Sequence, residues 1–447
     1  MSLREFLGEV FGGISEEVAY MSLREFLDEL EREGKVTHVT QEVNPRLEAA
    51  RMLRENDGSV VMFDRVKGSD YKVVAGVCSS RENFAKAMGI KKEELLFKIA
   101  EVIKNPTKPA VAQTAPCQEV VEKEVDLSKI PVLTHASKDL GPYVTAGVYV
   151  SKNKAGRLNM AFHRSSPIAK DRFVARICHR DTWKNLEEAG GELDIAICIG
   201  LDPTVLLAAS ISAGDVNEME IANSMKPLTL VKCLTNDLLV PAEAELVLEG
   251  VLTTKEKHKE GPFPDISGTF DIVRDEPVVI IKKVTHRKNP IYQALLPAYN
   301  EHRLLMGMPK EPTIYNAVNE VAKCKNVLIT PGGCCWLHAL VQIEKKNADD
   351  GMKAAEAAHK GHGSLKHAIV VDDDVNIYDL AEVEWAIATR MQADKNVKIW
   401  RGPGSSLDAT AEKIEGSDRL MTAKVAIDAT IPWDKNREKF KKAELGE

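Results

Sequence analysis

Two carboxylates flank a short proline-stiffened segment, Glu260-Gly-Pro-Phe-Pro-Asp265. Pro262 and Pro264 fix φ and exclude a helix interior, so both acids are displayed from a loop of limited freedom. A pair displayed this way suits proton transfer, because burial beside a second acid or an arginine drives two carboxyl pKa values apart. The same segment also reads as a Pro/Gly surface turn with solvated acids, and both readings stand open on the motif alone.

Other polar groups fall inside apolar runs. Leu158-Asn-Met-Ala-Phe-His-Arg164 has the pattern of a strand and is followed by Ile177-Cys-His-Arg-Asp181. Buried without partners, Asn159, His163, Arg164 and His179 would each cost a few kcal/mol, so partners are expected; His163 and Arg164 also fit a half-solvated face. Asn159 and Arg164 are an odd number of residues apart and would face opposite sides of an ideal strand. Joint action therefore needs a bulge, a strand end or the reach of the arginine. Asp215-Val-Asn-Glu218-Met-Glu220 opens a helical stretch on which Glu218 and Glu220 lie about 200° apart, so at most one faces a given site. First-turn acids also serve the helix dipole alone. Asp372-Asp-Asp374 fits an end-of-strand loop better than a metal site, and Cys334-Cys335 after Pro331-Gly-Gly fits a tight turn better than a nucleophile.

The elements that must position these groups form three blocks. Short β-rich runs (60–63, 71–77) alternate with helical ones (81–88, 91–103), giving a first α/β unit. Strand-like segments dominate from Val120 to Val284, and α/β alternation returns after about Pro309. The implied division is an N-terminal extension (1–20), an N-terminal α/β domain (21–115), a β-rich central domain (116–308) and a C-terminal α/β domain (309–447). MSLREFL occurs at 1–7 and again at 21–27, which points to Met21 as the natural start, with an upstream start or appended segment before it. The polar, Lys-rich stretch 431–447 has no hydrophobic partner within itself and is expected on another subunit.

Composition narrows the class. The chain has 447 residues, 60 Lys+Arg against 67 Asp+Glu for a net charge of −7, and 44% hydrophobic residues, an ordinary globular balance. Mild acidity without a basic-aromatic cluster argues against nucleic acid and anionic membranes, and no apolar run approaches membrane-spanning length. Eight scattered cysteines without a CxxC pair read as reduced thiols of a cytoplasmic protein. GxGxxG, GxxxxGK[ST], HExxH and GxSxG are absent.

Together, NMAFHR at 159–164, CHRD at 178–181, the acids of 217–220, VKCLTNDLLVPAEAELVLEG at 231–250, EGPFPD at 260–265 and VVDDDVNIYDLAEVEWAIATRM at 370–391 resemble, in order, the UbiD family of prenylated-FMN-dependent decarboxylases. The resemblance implies an N-terminal α/β domain, a central split β-barrel like that of flavin reductases, and a C-terminal α/β domain that helps form homo-dimers or hexamers. It implies prenylated FMN made by a partner prenyltransferase, with Mn²⁺ and K⁺ at the cofactor phosphate. By motif, the metal ligands fall on Asn159, His179 and Glu218; an Asn, a His and a Glu suit Mn²⁺. The family's arginine and two acids fall on Arg164, Glu260 and Asp265. Cofactor-lining stretches match Phe162, His163, Arg164, Ala175, Arg176, Ile177, Arg180 and Asp181, with Lys366 as a phosphate contact. The second acid, often Glu in relatives, is Asp here, and the residue before it, often Gly, is Pro264.

Loss of CO₂ from an unsaturated or aromatic acid leaves electrons on an sp² carbon, so an organic electron sink is needed. The family's acid then delivers a proton, with Asp265 as donor and Arg164 and Glu260 tuning it. EGPFPDISGTFDIVR resembles the archaeal branch, for which the expected reaction converts trans-anhydromevalonate 5-phosphate to isopentenyl phosphate. An aromatic acid, such as a polyprenyl hydroxybenzoate, is the alternative small-molecule carboxylic acid substrate. A split-barrel flavin oxidoreductase or a non-catalytic flavin-binding protein is the alternative of another class.

Overall fold

The computed structural model describes residues 22–443 apart from 213, 215 and 416–419. The duplicated opening, the proposed start at Met21 and Asp215 lie outside the described residues. The first helix, Leu23–Arg32, is capped by Ser22, whose hydroxyl accepts from the Glu25 amide, and buries Leu23, Phe26, Leu27 and Leu30. That i, i+3, i+4, i+7 stripe is an amphipathic face. Arg24 points the other way and grips fully buried Glu245 through two 2.7 Å bonds, tying this helix to the centre of the molecule.

Strands Val36–Val43 and Val60–Val66 pair in parallel, joined by the helix Glu48–Glu55. Their sheet continues through Lys72–Ala75 to Ile291–Gln293, a strand supplied from much later in the chain. The segment leaving that strand is thereby delivered beside the first α/β unit.

The central sheet contains β1 (Val148–Lys152), β2 (Leu158–Phe162), β3 (Ser165–Ala169), β4 (Arg172–Ala175), β5 (Glu192–Ile199), β6 (Leu246–Glu260) and β7 (Arg274–His286). Their order is β2-β1-β5-β6-β7-β4-β3, with Val120–Val121 added on β7. Along β5, Ala196 and Cys198 enter one hydrophobic core, whereas Ile195, Ile197 and Ile199 enter another on the opposite face. Period-2 alternation thus feeds two cores from one strand. Among the described residues no closed barrel forms along this path, although Val144, on the approach to β1, bridges Ser165 at the start of β3 and brings the two sides of the path together. The amide of Met160 on β2 donates to the Glu218 carboxylate at 2.9 Å.

The C-terminal sheet has the order Lys323–Ile329, His338–Glu344, His367–Asp372, Leu420–Asp428, Val397–Pro403. Asp372 and Asp374 bind the buried Arg390, so these acids form a structural ion-pair cluster. Cys334 and Cys335 sit in left-handed turn positions, φ 60° and 50°. The polar tail, expected on another subunit, returns to its own chain through Arg437–Asp372 and Lys442–Glu382 contacts. Among the described residues no helix is long and apolar enough to cross a membrane.

β6 and β7 extend past the sheet as a two-stranded arm ending at the Glu260–Arg274 pair, with a register shift between Glu249 and Gly250. A Cβ on Gly250 would meet the Ile280 carbonyl oxygen at 2.2 Å, and a backbone atom there cannot swing aside. Gly250→Ala is expected to destabilise by about 2 to 3 kcal/mol, read as a lower urea midpoint at unchanged m; an unchanged midpoint contradicts the packing described.

Candidate active site

A cleft of about 500 Å³ opens between β2, the end of the arm and the C-terminal unit, which contributes Trp336, Ser364 and Gly404–Leu407. β2 ends at Phe162 and β3 begins at Ser165, leaving His163 and Arg164 in a two-residue connection. This strand end lets Asn159 and Arg164 line one cleft despite their odd spacing.

Arg164 is the hub. Its Nε and one terminal nitrogen donate to the two oxygens of fully buried Glu260 at 2.8 and 3.0 Å, and the same terminal nitrogen donates to Asp271 at 2.9 Å. The other terminal nitrogen lies 3.5 Å from Asp265, and the guanidinium stacks over Phe263 at 4.6 Å. Bidentate pairing of this kind fixes orientation as well as charge. Burial works against the Arg164 charge, but the bonds to Glu260 and the nearby acids hold its pKa above the ordinary arginine value. Gly261 is in the left-handed region at φ +87°, and a Cβ there would lie 2.7 Å from the Ile272 carbonyl oxygen. The loop can leave Glu260 this tightly only through glycine.

At the other end of the cleft, Glu218 opens the helix Glu218–Met225 behind the Asn217 cap. Burial, with the Asp181 charge, raises its pKa to about 7 against the bond from Met160. The Asn159 amide nitrogen donates to Thr182 at 3.1 Å, which leaves its carbonyl oxygen for another partner. His163 bonds the same Thr182 hydroxyl at 2.9 Å, and burial lowers its pKa to about 4. Phe162, Arg176, Arg180 and Asp181 also line the cleft, and Arg176 is paired with Glu276 at 2.6 Å. Four sequence candidates lie elsewhere. His179 is exposed and stacks on Trp183 at 4.3 Å; Ala175 and Ile177 are core residues; Lys366 is bound to Asp408 and Thr410. Among the described residues no group of three His, Cys, Asp or Glu converges as a metal site.

Sequence reasoning missed Asp271, Arg274 and His302. The first two lie in the phrase that carried the resemblance, but an acid and a base near a turn are common. His302 accepts the Ala298 amide at Nδ1, 3.1 Å away, so its proton sits on Nε2. Burial lowers its pKa to about 4, with Asp265 opposing and Arg164 and Arg303 reinforcing that shift. The cleft therefore holds a neutral imidazole. Burial would raise Asp271, but hydrogen bonds from Arg274 and the Arg164 charge hold it at about 2, below the ordinary 3.8. A depressed carboxylate contributes stability above its unfolded pKa, here about 2 kcal/mol, and loses it as pH falls from about 4 to about 2. Asp271→Asn should therefore be less stable than the parent above about pH 4, with the gap closing toward about pH 2; a pH-independent gap in urea unfolding contradicts this pairing.

Family models match most of the chain: the N-terminal domain of 3-octaprenyl-4-hydroxybenzoate carboxy-lyase over residues 27–103, its Rift-related domain over 109–300 and its C-terminal domain over 303–429. The anhydromevalonate phosphate decarboxylase of Methanosarcina mazei is 43% identical over 92% of this chain and 96% of its own length. That of Methanothermobacter thermautotrophicus is 42% identical over 95% and 100%. Among solved structures, the UbiD-class enzyme HmfF from Pelotomaculum thermopropionicum in complex with FMN superimposes with a TM-score of 0.91, at 38% identity over 95% of this chain and 97% of its own. An evolved dimeric form of HmfF in complex with prenylated FMN gives 0.86 at 37% identity, over 93% and 96%. With matched models spanning all three parts and relatives this similar along nearly the whole length, the chain belongs to the UbiD family of carboxy-lyases.

Proposed function

We propose that the chain is a prenylated-FMN-dependent decarboxylase that converts trans-anhydromevalonate 5-phosphate to isopentenyl phosphate. The observation that carries the chemistry is the Arg164 cluster: one guanidinium holding Glu260 and Asp271 and facing Asp265 at the wall of the cleft. The substrate is supported by the archaeal relatives named above, at 43% and 42% identity over nearly their whole lengths.

Prenylated FMN, when bound, supplies an electron sink for the carbon that loses CO₂. The residues of the cleft fit it: Phe162, Met160 and Leu295 offer apolar surface, and Arg176 and Arg180 offer positive charge. A cation at the cofactor phosphate also fits, because buried Glu218 and the spare carbonyl oxygen of Asn159 are hard donors. Mn²⁺ would be held there, with K⁺ nearby; His179 joins only by leaving its stack on Trp183.

The chain's own groups do the rest. Glu260 and Asp271 occupy Arg164 through Nε and one terminal nitrogen, so the other terminal nitrogen remains to orient a substrate carboxylate beside Asp265. Three carboxyls face two guanidiniums, Arg164 and Arg274. Asp265 delivers a proton to the carbon that CO₂ has left. His302 contributes a neutral N–H donor. A cytoplasmic homo-oligomer supplied by a prenyltransferase completes the reading; eight free cysteines and the evolved dimeric form of HmfF agree with it.

Protein loaded anaerobically with prenylated FMN and Mn²⁺ should form isopentenyl phosphate from this substrate, and Asp265→Asn should lose at least about 100-fold in turnover. CO₂ from an aromatic acid alone would move the substrate assignment. No product from any acid by loaded protein would overturn the decarboxylase reading.

A further inference from the structure

A second cavity, of about 580 Å³, lies behind the acid-bearing loop. It shares a wall with the cleft, and neighbouring residues divide between the two. Asp265, Leu295 and His302 face the cleft, while Pro264, Leu296 and Arg303 face this cavity. One side is a single stripe of the helix Glu48–Glu55 and its cap: Leu47, Ala50, Arg51 and Arg54, at i, i+3, i+4 and i+7.

The lining contains three arginines and no carboxylate. Arg51 makes one exposed ion pair with Glu55 at 3.0 Å, worth little in solvent. The Arg54 guanidinium has no hydrogen-bond or ion-pair partner among the described residues. Arg303 donates Nε to the Ile266 carbonyl at 3.2 Å, which fastens this cavity to the loop that carries Asp265. Across from the helix stands His135, both of whose ring nitrogens lack a partner although they are shielded from water. Its own backbone is fixed elsewhere, because Asp139 accepts from the amides of His135 and Ala136 at 3.0 and 2.8 Å. Unsatisfied buried polar groups are rare and ask for an explanation. Two non-glycine residues of the lining, Leu47 and Ala298, sit at φ 68° and 69°, a cost that recurs at ligand sites.

We propose that this cavity binds a phosphate monoester, held by Arg51, Arg54 and Arg303, on the far side of the loop that presents Asp265. Guanidinium forks match phosphate oxygens in pairs and need no deprotonation or metal. The choice of phosphate among anions rests on the proposed substrate; the cationic cavity does not. The phosphate has two sources, the tail of the substrate itself or a separate phosphorylated metabolite.

Inorganic phosphate titrated calorimetrically into the full-length, cofactor-loaded protein is the test. The parent should bind saturably, and the Arg51→Gln/Arg54→Gln double variant, altered only at exposed positions, should bind at least about tenfold more weakly. A Lys123→Gln/Lys154→Gln control removes equal charge from exposed positions outside both cavities and should bind as the parent does. If the substrate's tail is the source, the double variant also raises KM for the phosphorylated acid more than for the same acid without phosphate. If the source is a separate ester, phosphate binding falls while that KM ratio stays. Absent saturable binding by the parent, equal binding by the double variant, or equal weakening in the lysine control each overturns the proposal. The calorimetric arm decides even if the phosphorylated acid is not a substrate.

Discussion

The guanidinium of Arg164 is the interaction on which the site depends. It sits at the junction of β2 and β3 and reaches three acids from one excursion of chain: Glu260 at the end of the β6 strand, Asp265 in the turn and Asp271 on the way back. Each acid alone would leave a charge poorly solvated, and Glu260 is fully buried. Removing one member of a buried pair typically costs about 3 to 5 kcal/mol, because the other charge is left uncompensated. The loop's shape therefore follows from the arginine as much as from its prolines. The cis peptide between Gly261 and Pro262 and the bond from the Gly261 amide to Tyr143 lie within this held segment.

Much of this was legible in the residues. EGPFPD displays its acids from a stiff loop, NMAF at 159–162 forms a strand, and the helix near 217–225 begins at Glu218, with that acid buried and Glu220 turned away. Those features rest on local rules: proline geometry, period-2 burial and first-turn capping. The tight turn at Cys334-Cys335 and the ion-paired Asp372 and Asp374 follow equally local logic. What could not be read was long-range. Asp271 and His302 matter because the arm and the segment after Ile291–Gln293 bring them to Arg164, and no spacing rule encodes that approach. The bridge from Val144 to Ser165 across the central sheet was equally hidden, since local patterning does not pair those two positions. The pairing of Lys366 with Asp408 and Thr410 was likewise out of reach, because a lysine near a strand gives no sign of partners 42 and 44 residues on.

The return of Ile291–Gln293 to the N-terminal sheet links the parts of the molecule. It places Leu295 to Arg303 as a partition whose residues divide between two cavities. The acid-bearing loop is the other part of that partition, and Arg303 ties the two together through the Ile266 carbonyl. A wall built from the acid-bearing loop and the 295–303 segment, whose last residues open the helix Asn300–Gly307, joins the reacting face to a basic pocket.

The most direct test of the account is Arg164→Lys in the cofactor-loaded protein, with turnover and flavin absorbance measured on one sample. Lysine keeps the charge but lacks the fork that engages Glu260 and Asp271 together. The account predicts unchanged flavin binding with turnover lower by about 100-fold or more, the range expected when a proton-transfer group is displaced. Turnover within a few-fold of the parent would contradict it, because the positive charge, rather than the geometry that holds three acids around it, would then suffice.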